Sequence, residues 1–202
     1  MIAIIDYGGG NLRSVQNGFA AAGLPTVVSD EPHELEAADG LVLPGVGAFG
    51  QAMKNLRESG LGQLLLRRVA AGVPLLGICL GLQLLFDRSE EKGEHAGLGL
   101  IAGAVVPFPG VLKVPQIGWN QLSILREHPL LEGISQGDYF YFVHSFYACP
   151  TDPEVVLASA DYGGAFPAVV QKDNLFGIQF HPEKSSRLGL QILKNFGRLV
   201  EC

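Results

Sequence analysis

Cysteine is sparse in this chain, and positive charge is outnumbered by negative. The three cysteines, Cys79, Cys149 and Cys202, stand far apart. An odd number at wide spacing suggests neither a disulfide framework nor a paired-cysteine metal site, so no metal and no other cofactor is expected, and the thiols are free in a reducing compartment. Lysine and arginine number 14 against 20 acids, for a net charge of −6. No basic run is present that could neutralise a phosphate backbone, which argues against nucleic acid as a partner. Apolar runs are too short to span a bilayer, and the opening MIAIIDYGGG has neither a basic n-region nor a cleavage-type site. No membrane association is therefore expected, and the reading is a cytoplasmic protein.

Apolar residues, by contrast, are plentiful: 48% of 202 residues are hydrophobic, enough for one sizeable core, and a single domain over residues 1–202 is expected. Strand-like and helix-like patterns alternate through the first half. Ile2-Ala3-Ile4-Ile5 reads as a buried strand, and Asn11 as the cap of a helix running to Gly23. Strands follow at Thr26-Val27-Val28 and Leu41-Val42-Leu43. A helix over 50–71, split near Ser59-Gly60, precedes an apolar strand over 73–78, and residues 80–86 continue at helical spacing. Near-continuous apolar strands separated by helices imply a mainly parallel sheet covered on both faces. From residue 103 the pattern becomes short strands closed by turns, at 105–108, 139–146, 155–159, 168–171 and 175–180, with a last helix over 186–199. The fold class is α/β: three layers, a mainly parallel central sheet with helices on both faces, and an antiparallel extension.

Three segments carry chemistry. In Gly77-Ile78-Cys79-Leu80-Gly81-Leu82-Gln83 a cysteine sits between glycines where a strand turns into a helix. This is the layout of a nucleophile elbow, with the thiol lifted from the core toward a helix N-terminus whose partial positive charge favours thiolate. His181 follows the apolar run Leu175 to Phe180 and is itself followed by Pro182 and Glu183. An imidazole can take the thiol proton and return it to a leaving amine, while a carboxylate orients the ring; an extended segment would point His181 and Glu183 the same way. In Pro44-Gly45-Val46-Gly47 the glycines let the backbone approach a reacting carbonyl. Val46 N–H, after a peptide reorientation, and Leu80 N–H are the candidate oxyanion donors.

PGVG, GICLGLQ and FHPEKS, in this order and spacing, resemble the class I glutamine amidotransferases, and the resemblance covers essentially the whole chain. It implies hydrolysis of the L-glutamine side-chain amide by Cys79, His181 and Glu183 through a γ-glutamyl thioester. It also implies that Gly45, Gly47, Gln83, His144, Ser145 and Phe146 hold the substrate. Asp6-Tyr7-Gly8-Gly9-Gly10-Asn11-Leu12, Pro115-Gln116-Ile117-Gly118-Trp119-Asn120 and Lys184-Ser185 are similar, more narrowly, to the glutaminase subunits that feed imidazole glycerol phosphate synthesis in histidine biosynthesis. Those subunits usually have histidine where this chain has Gln116. The narrower resemblance implies a heterodimer with a separate (β/α)8-barrel synthase subunit that accepts the ammonia, with Asn11, Gln116, Trp119 and Lys184 at the interface and Trp119 in a turn-like segment. Two other readings stay open: a Cys-His hydrolase of a related elbow-cysteine family, or a glutaminase subunit of another amidotransferase.

Overall fold

The computed structural model describes residues 1–110 and 113–201; Cys202, expected as a free thiol, lies outside them. β1 (Ile2–Ile5) and β2 (Thr26–Ser29) flank α1 (Leu12–Ala21), which Asn11 caps by accepting the Ser14 N–H at Oδ1, 3.4 Å. A short helix that the apolar pattern did not announce, α2 (Pro32–Glu36), leads to β3 (Gly40–Gly45). The long helix is split where expected, into α3 (Phe49–Glu58) and α4 (Leu61–Ala70), by Gly60 at φ 74°. β4 (Leu75–Cys79) then passes directly into α5 (Leu80–Leu84).

The second half supplies β5 (Phe86–Ser89), β6 (His95–Ala96), β7 (Ile101–Pro107), β8 (Gln116–Gln121), β9 (Ser123–Ile124), β10 (Tyr139–His144), β11 (Phe146–Pro150), β12 (Val156–Asp161), β13 (Ala165–Lys172), β14 (Leu175–Ile178) and α6 (Ser186–Glu201). The central sheet has the order β2-β1-β3-β4-β14-β13-β12-β9. Its pairings are parallel from β2 to β14 and antiparallel beyond.

Alternate residues of one strand feed opposite faces, which is why the strand sequences read as unbroken apolar runs. Ile2, Ile4, Val42, Leu76 and Ile78 pack with Phe19 of α1 and Phe196 of α6. Ala3, Ile5, Leu41, Leu43 and Leu75 pack with Leu35 of α2, Leu56 of α3 and Leu64 of α4. The three layers and the antiparallel extension are as expected.

Three local expectations fail. Helix α5 ends at Leu84, and Phe86 starts a strand rather than continuing the helix. The strand expected over 139–146 is two strands in different sheets, β10 with β8 and β11 with β7, divided at Ser145. Phe140, Phe142, His144 and Ala148 are buried on both sides of that division and Phe146 between them is half-buried, so the apolar pattern at even positions continues across it and gives little sign of it. Trp119 lies in β8, paired with Tyr141, not in a turn; Gly118 beside it takes a φ of 137° inside the strand.

Candidate active site

β3, β4 and β14 run parallel side by side and deliver Gly45, Cys79 and the segment leading to His181 to the same edge of the sheet. The carboxyl ends of parallel strands are where α/β sheets present ligand sites. Cys79 has φ 55° and ψ −110°, a region in which a side chain is strained. The glycines around it are there for space. A Cβ on Gly77 would stand 2.7 Å from Gly81 O and Leu82 N, and one on Gly81 would overlap the Leu43 carbonyl oxygen. Helix α5 can therefore fold back onto β3 and β4 only with glycine at both places. Adding that methyl in Gly81→Ala is expected to cost about 3 kcal/mol, the upper end of overpacking effects, and to lower the melting temperature by roughly 6–12 °C. An unchanged thermal melt would contradict this account of the elbow.

The Cys79 side chain is 6% exposed. Its Sγ lies 3.8 Å from Val143 O and 3.7 Å from the Gln179 amide nitrogen, and the His181 ring lies beside it. His181 Nδ1 donates to Glu183 Oε1 at 2.9 Å, both side chains being almost fully buried. Burial by itself pulls an imidazolium down. Here the bonds to Cys79 and Glu183, with the negative charge of each, outweigh burial and push His181 up to about 10. The ring is thus charged at neutral pH. The expected pairing of His181 and Glu183 is present, but not through an extended strand: Pro182–Lys184 form a 3-10 turn that brings the Glu183 carboxylate to Nδ1 of the ring. Ser185 Oγ ties this turn down, donating to His181 O and accepting the Tyr141 N–H.

A cleft of about 450 Å³ opens beside Cys79. Val46, Gly47, Leu80, Gln83, His144, Ser145 and Phe146, singled out from the sequence, line it together with Glu91 and Lys92, which were not. Gly45 sits behind the cleft wall; a Cβ there would meet Leu80 Cβ at 2.8 Å and Tyr7 Oη at 2.9 Å, so its smallness serves packing. The Tyr7 hydroxyl donates to Pro44 O at 2.9 Å, and burial, with the Cys79 charge adding, raises its pKa far enough that it stays protonated. His144 Nδ1 meets Phe146 O at 2.8 Å, so that nitrogen carries the proton. Burial pulls this histidine down to about 4 against the pull of that bond, with His181 assisting, and the ring is neutral. Its Nε2 is then a buried acceptor without a partner.

Of the four candidate interface residues, Asn11, Trp119 and Lys184 are at the surface, Trp119 being 52% exposed. Gln116 is not: its side chain is buried against the protein, 4% exposed, which corrects the expectation that it faces a partner. Among the described residues no group of acidic, histidine and cysteine side chains is arranged to hold a metal ion.

The family model for glutamine amidotransferase class-I matches residues 3–199. The chain is 55% identical to imidazole glycerol phosphate synthase subunit HisH of Syntrophotalea carbinolica, over 98% of this chain and 99% of that one. It is 55% identical to the same subunit from Moorella thermoacetica, over 98% and 95%, and 52% identical to that of Aquifex aeolicus, over 98% and 96%. Among solved structures, one described as a glutamine amidotransferase superposes with a TM-score of 0.79 at 21% identity, covering 100% of this chain and 99% of that one. PurLQS from Thermotoga maritima superposes with a TM-score of 0.75 at 18% identity, covering 99% and 96%.

Proposed function

The chain belongs to the class I glutamine amidotransferase family, and from that premise we propose that it is the glutaminase subunit of an imidazole glycerol phosphate synthase. The observation that carries the chemistry is the line from Cys79 through His181 to Glu183 at the strand ends. In this reading the Cys79 thiolate attacks the side-chain amide carbon of glutamine. The carbonyl electrons move to oxygen, which meets the N–H groups of Leu80 and, once its peptide turns inward, Val46. His181 gives its Nε2 proton to the amide nitrogen as the carbon–nitrogen bond breaks, releasing ammonia and leaving a γ-glutamyl thioester. Water then adds to the thioester, its proton passing to His181, and glutamate departs as the sulfur is regained. Glu183 holds the ring by Nδ1 and stabilises its charged form throughout.

Substrate orientation falls to the rim. Both N–H groups of the Gln83 amide are engaged, to Phe146 O at 2.9 Å and Gln179 Oε1 at 3.0 Å, so only its oxygen is left to accept from an amino-acid ammonium. His144 Nε2 offers a second acceptor. No helix among the described residues is long and apolar enough to cross a membrane, in keeping with work in the cytoplasm.

Ammonia needs a receiving site, and the partner in this reading is a (β/α)8-barrel subunit with synthase, hence lyase, activity, joined as a heterodimer. The β8–β10 ribbon supports it: Ile117, Trp119 and Tyr139 are each more than half exposed on it, and grouped exposed apolar side chains mark docking surfaces. Lys184 Nζ stands 5.9 Å over the Tyr141 ring on the same ribbon. Trp119→Ala is expected to weaken the complex by about 2 kcal/mol, roughly thirtyfold in Kd. Titration of the two subunits by calorimetry reads this, and an unchanged Kd would remove the ribbon from the interface. The test of the function itself is glutamate release from glutamine by the chain with its synthase subunit. Release of glutamate without formation of imidazole glycerol phosphate would overturn the assignment.

A further inference from the structure

Gln179 is a fully buried polar side chain in an apolar neighbourhood, 0% exposed, and its amide nitrogen lies 3.7 Å from Cys79 Sγ. Its orientation is forced from a distance. Phe146 O can only accept, so the Gln83 group 2.9 Å from it is the NH2 end. That same nitrogen lies 3.0 Å from Gln179, which must turn its oxygen toward Gln83 and its own NH2 toward the sulfur. The sulfur's other neighbours explain why a donor is needed. Val143 O, 3.8 Å away, accepts from a thiol but repels a thiolate. The charged and titratable groups around the sulfur are His181, with Glu183 and neutral His144 beyond it, the protonated Tyr7, and Glu91, Lys92 and Lys184 on the cleft lining. His181 gives up its proton and regains it in each turnover, whereas the Gln179 amide keeps its hydrogens throughout.

We propose that Gln179 is a positioning residue for the nucleophile: its amide, locked by Gln83 and the Phe146 carbonyl, holds the Cys79 sulfur as a thiolate and fixes its direction. The proposal rests on the reading of Cys79 as nucleophile. Because Phe146 also lines the cleft, the relay ties the sulfur to the substrate wall.

The test follows the rate of Cys79 carboxamidomethylation by iodoacetamide against pH in the full-length chain, with the modified peptide identified by mass spectrometry. A hydrogen bond to a charged group is worth enough to move the midpoint by about one pH unit. Gln179→Met keeps the length and loses the donor, so its midpoint rises by about that much. In the complex, kcat for glutamine falls about tenfold while KM stays within about twofold. Gln179→Glu, which puts a carboxylate beside the sulfur, raises the midpoint further. Should the Gln179 variants fail to fold by thermal melt, Gln83→Met decides. It leaves Gln179 in place but frees its amide to turn, and the midpoint rises by a smaller amount. An unchanged midpoint in the folded variants overturns the proposal, even if kcat falls, because packing alone would then account for the loss. Failure of the underlying reading looks different: alkylation of Cys79 in the unmodified sequence would leave glutamine hydrolysis intact.

Discussion

Replacing Cys79 by alanine lowers glutamine-dependent synthesis by about 10⁴-fold or more, while synthesis from added ammonia by the same complex persists. Only the nucleophile is lost; the fold, the cleft and the partner surface remain, so the acceptor half of the reaction is still served. A glutamine analogue carrying a diazoketone in place of the amide is expected to label Cys79 and spare Cys149. The outcome discriminates well, since Cys149 is exposed and Cys79 is buried. Accessibility alone predicts the opposite labelling, and mass-spectrometric mapping to Cys149 would count against the assignment. So would Cys79→Ala hydrolysing glutamine at near its original rate.

His181→Ala is expected to lose about 10⁴-fold in kcat, because the group that forms the thiolate pair and protonates the leaving nitrogen is gone. Glu183→Gln keeps shape and an acceptor but removes the charge that steadies the imidazolium, and is expected to lose less, about 10²- to 10³-fold. The two substitutions also differ in their pH signature. The Glu183 charge is one of the influences that lift His181 to about 10, so in Glu183→Gln the ring surrenders its proton at lower pH and the alkaline limit of activity moves down. Equal losses with an unmoved alkaline limit would contradict the division of labour between the two side chains.

How much of this was legible in the residues depended on whether a feature is local. The parallel half of the sheet was readable because strands buried on both faces leave short apolar runs, here bounded by glycine, proline and helical patterns. The elbow was readable because the glycines flanking Cys79 are required by close approach, Gly81 against the Leu43 carbonyl. The division of the strand at Ser145 was not, since the buried phase continues across it. Gln116 is expected outside and lies inside: a glutamine between Pro115 and Ile117 reads as surface, and only its pairing opposite His144 shows that it faces inward. Gln179 does carry a signal in the sequence. An amide between Ile178 and Phe180, in a run otherwise apolar, has to find partners when buried, and those partners, Gln83 and Cys79, are distant in sequence. Glu91 left no such mark, because a carboxylate in an acidic, exposed-looking stretch gives no sign that it accepts the Phe49 N–H at 2.7 Å and borders the cleft.

The central claim is that this chain takes ammonia from the glutamine side chain and passes it directly to a synthase subunit. The most direct measurement supplies the complex with glutamine carrying nitrogen-15 only in its amide, in the presence of excess unlabelled ammonium at neutral pH, and follows the label by mass spectrometry. The predicted result is imidazole glycerol phosphate carrying the label in step with the glutamate released, with dilution by bulk ammonium small, and loss of that labelled product in Cys79→Ala. Unlabelled product formed alongside labelled free ammonium would contradict the account.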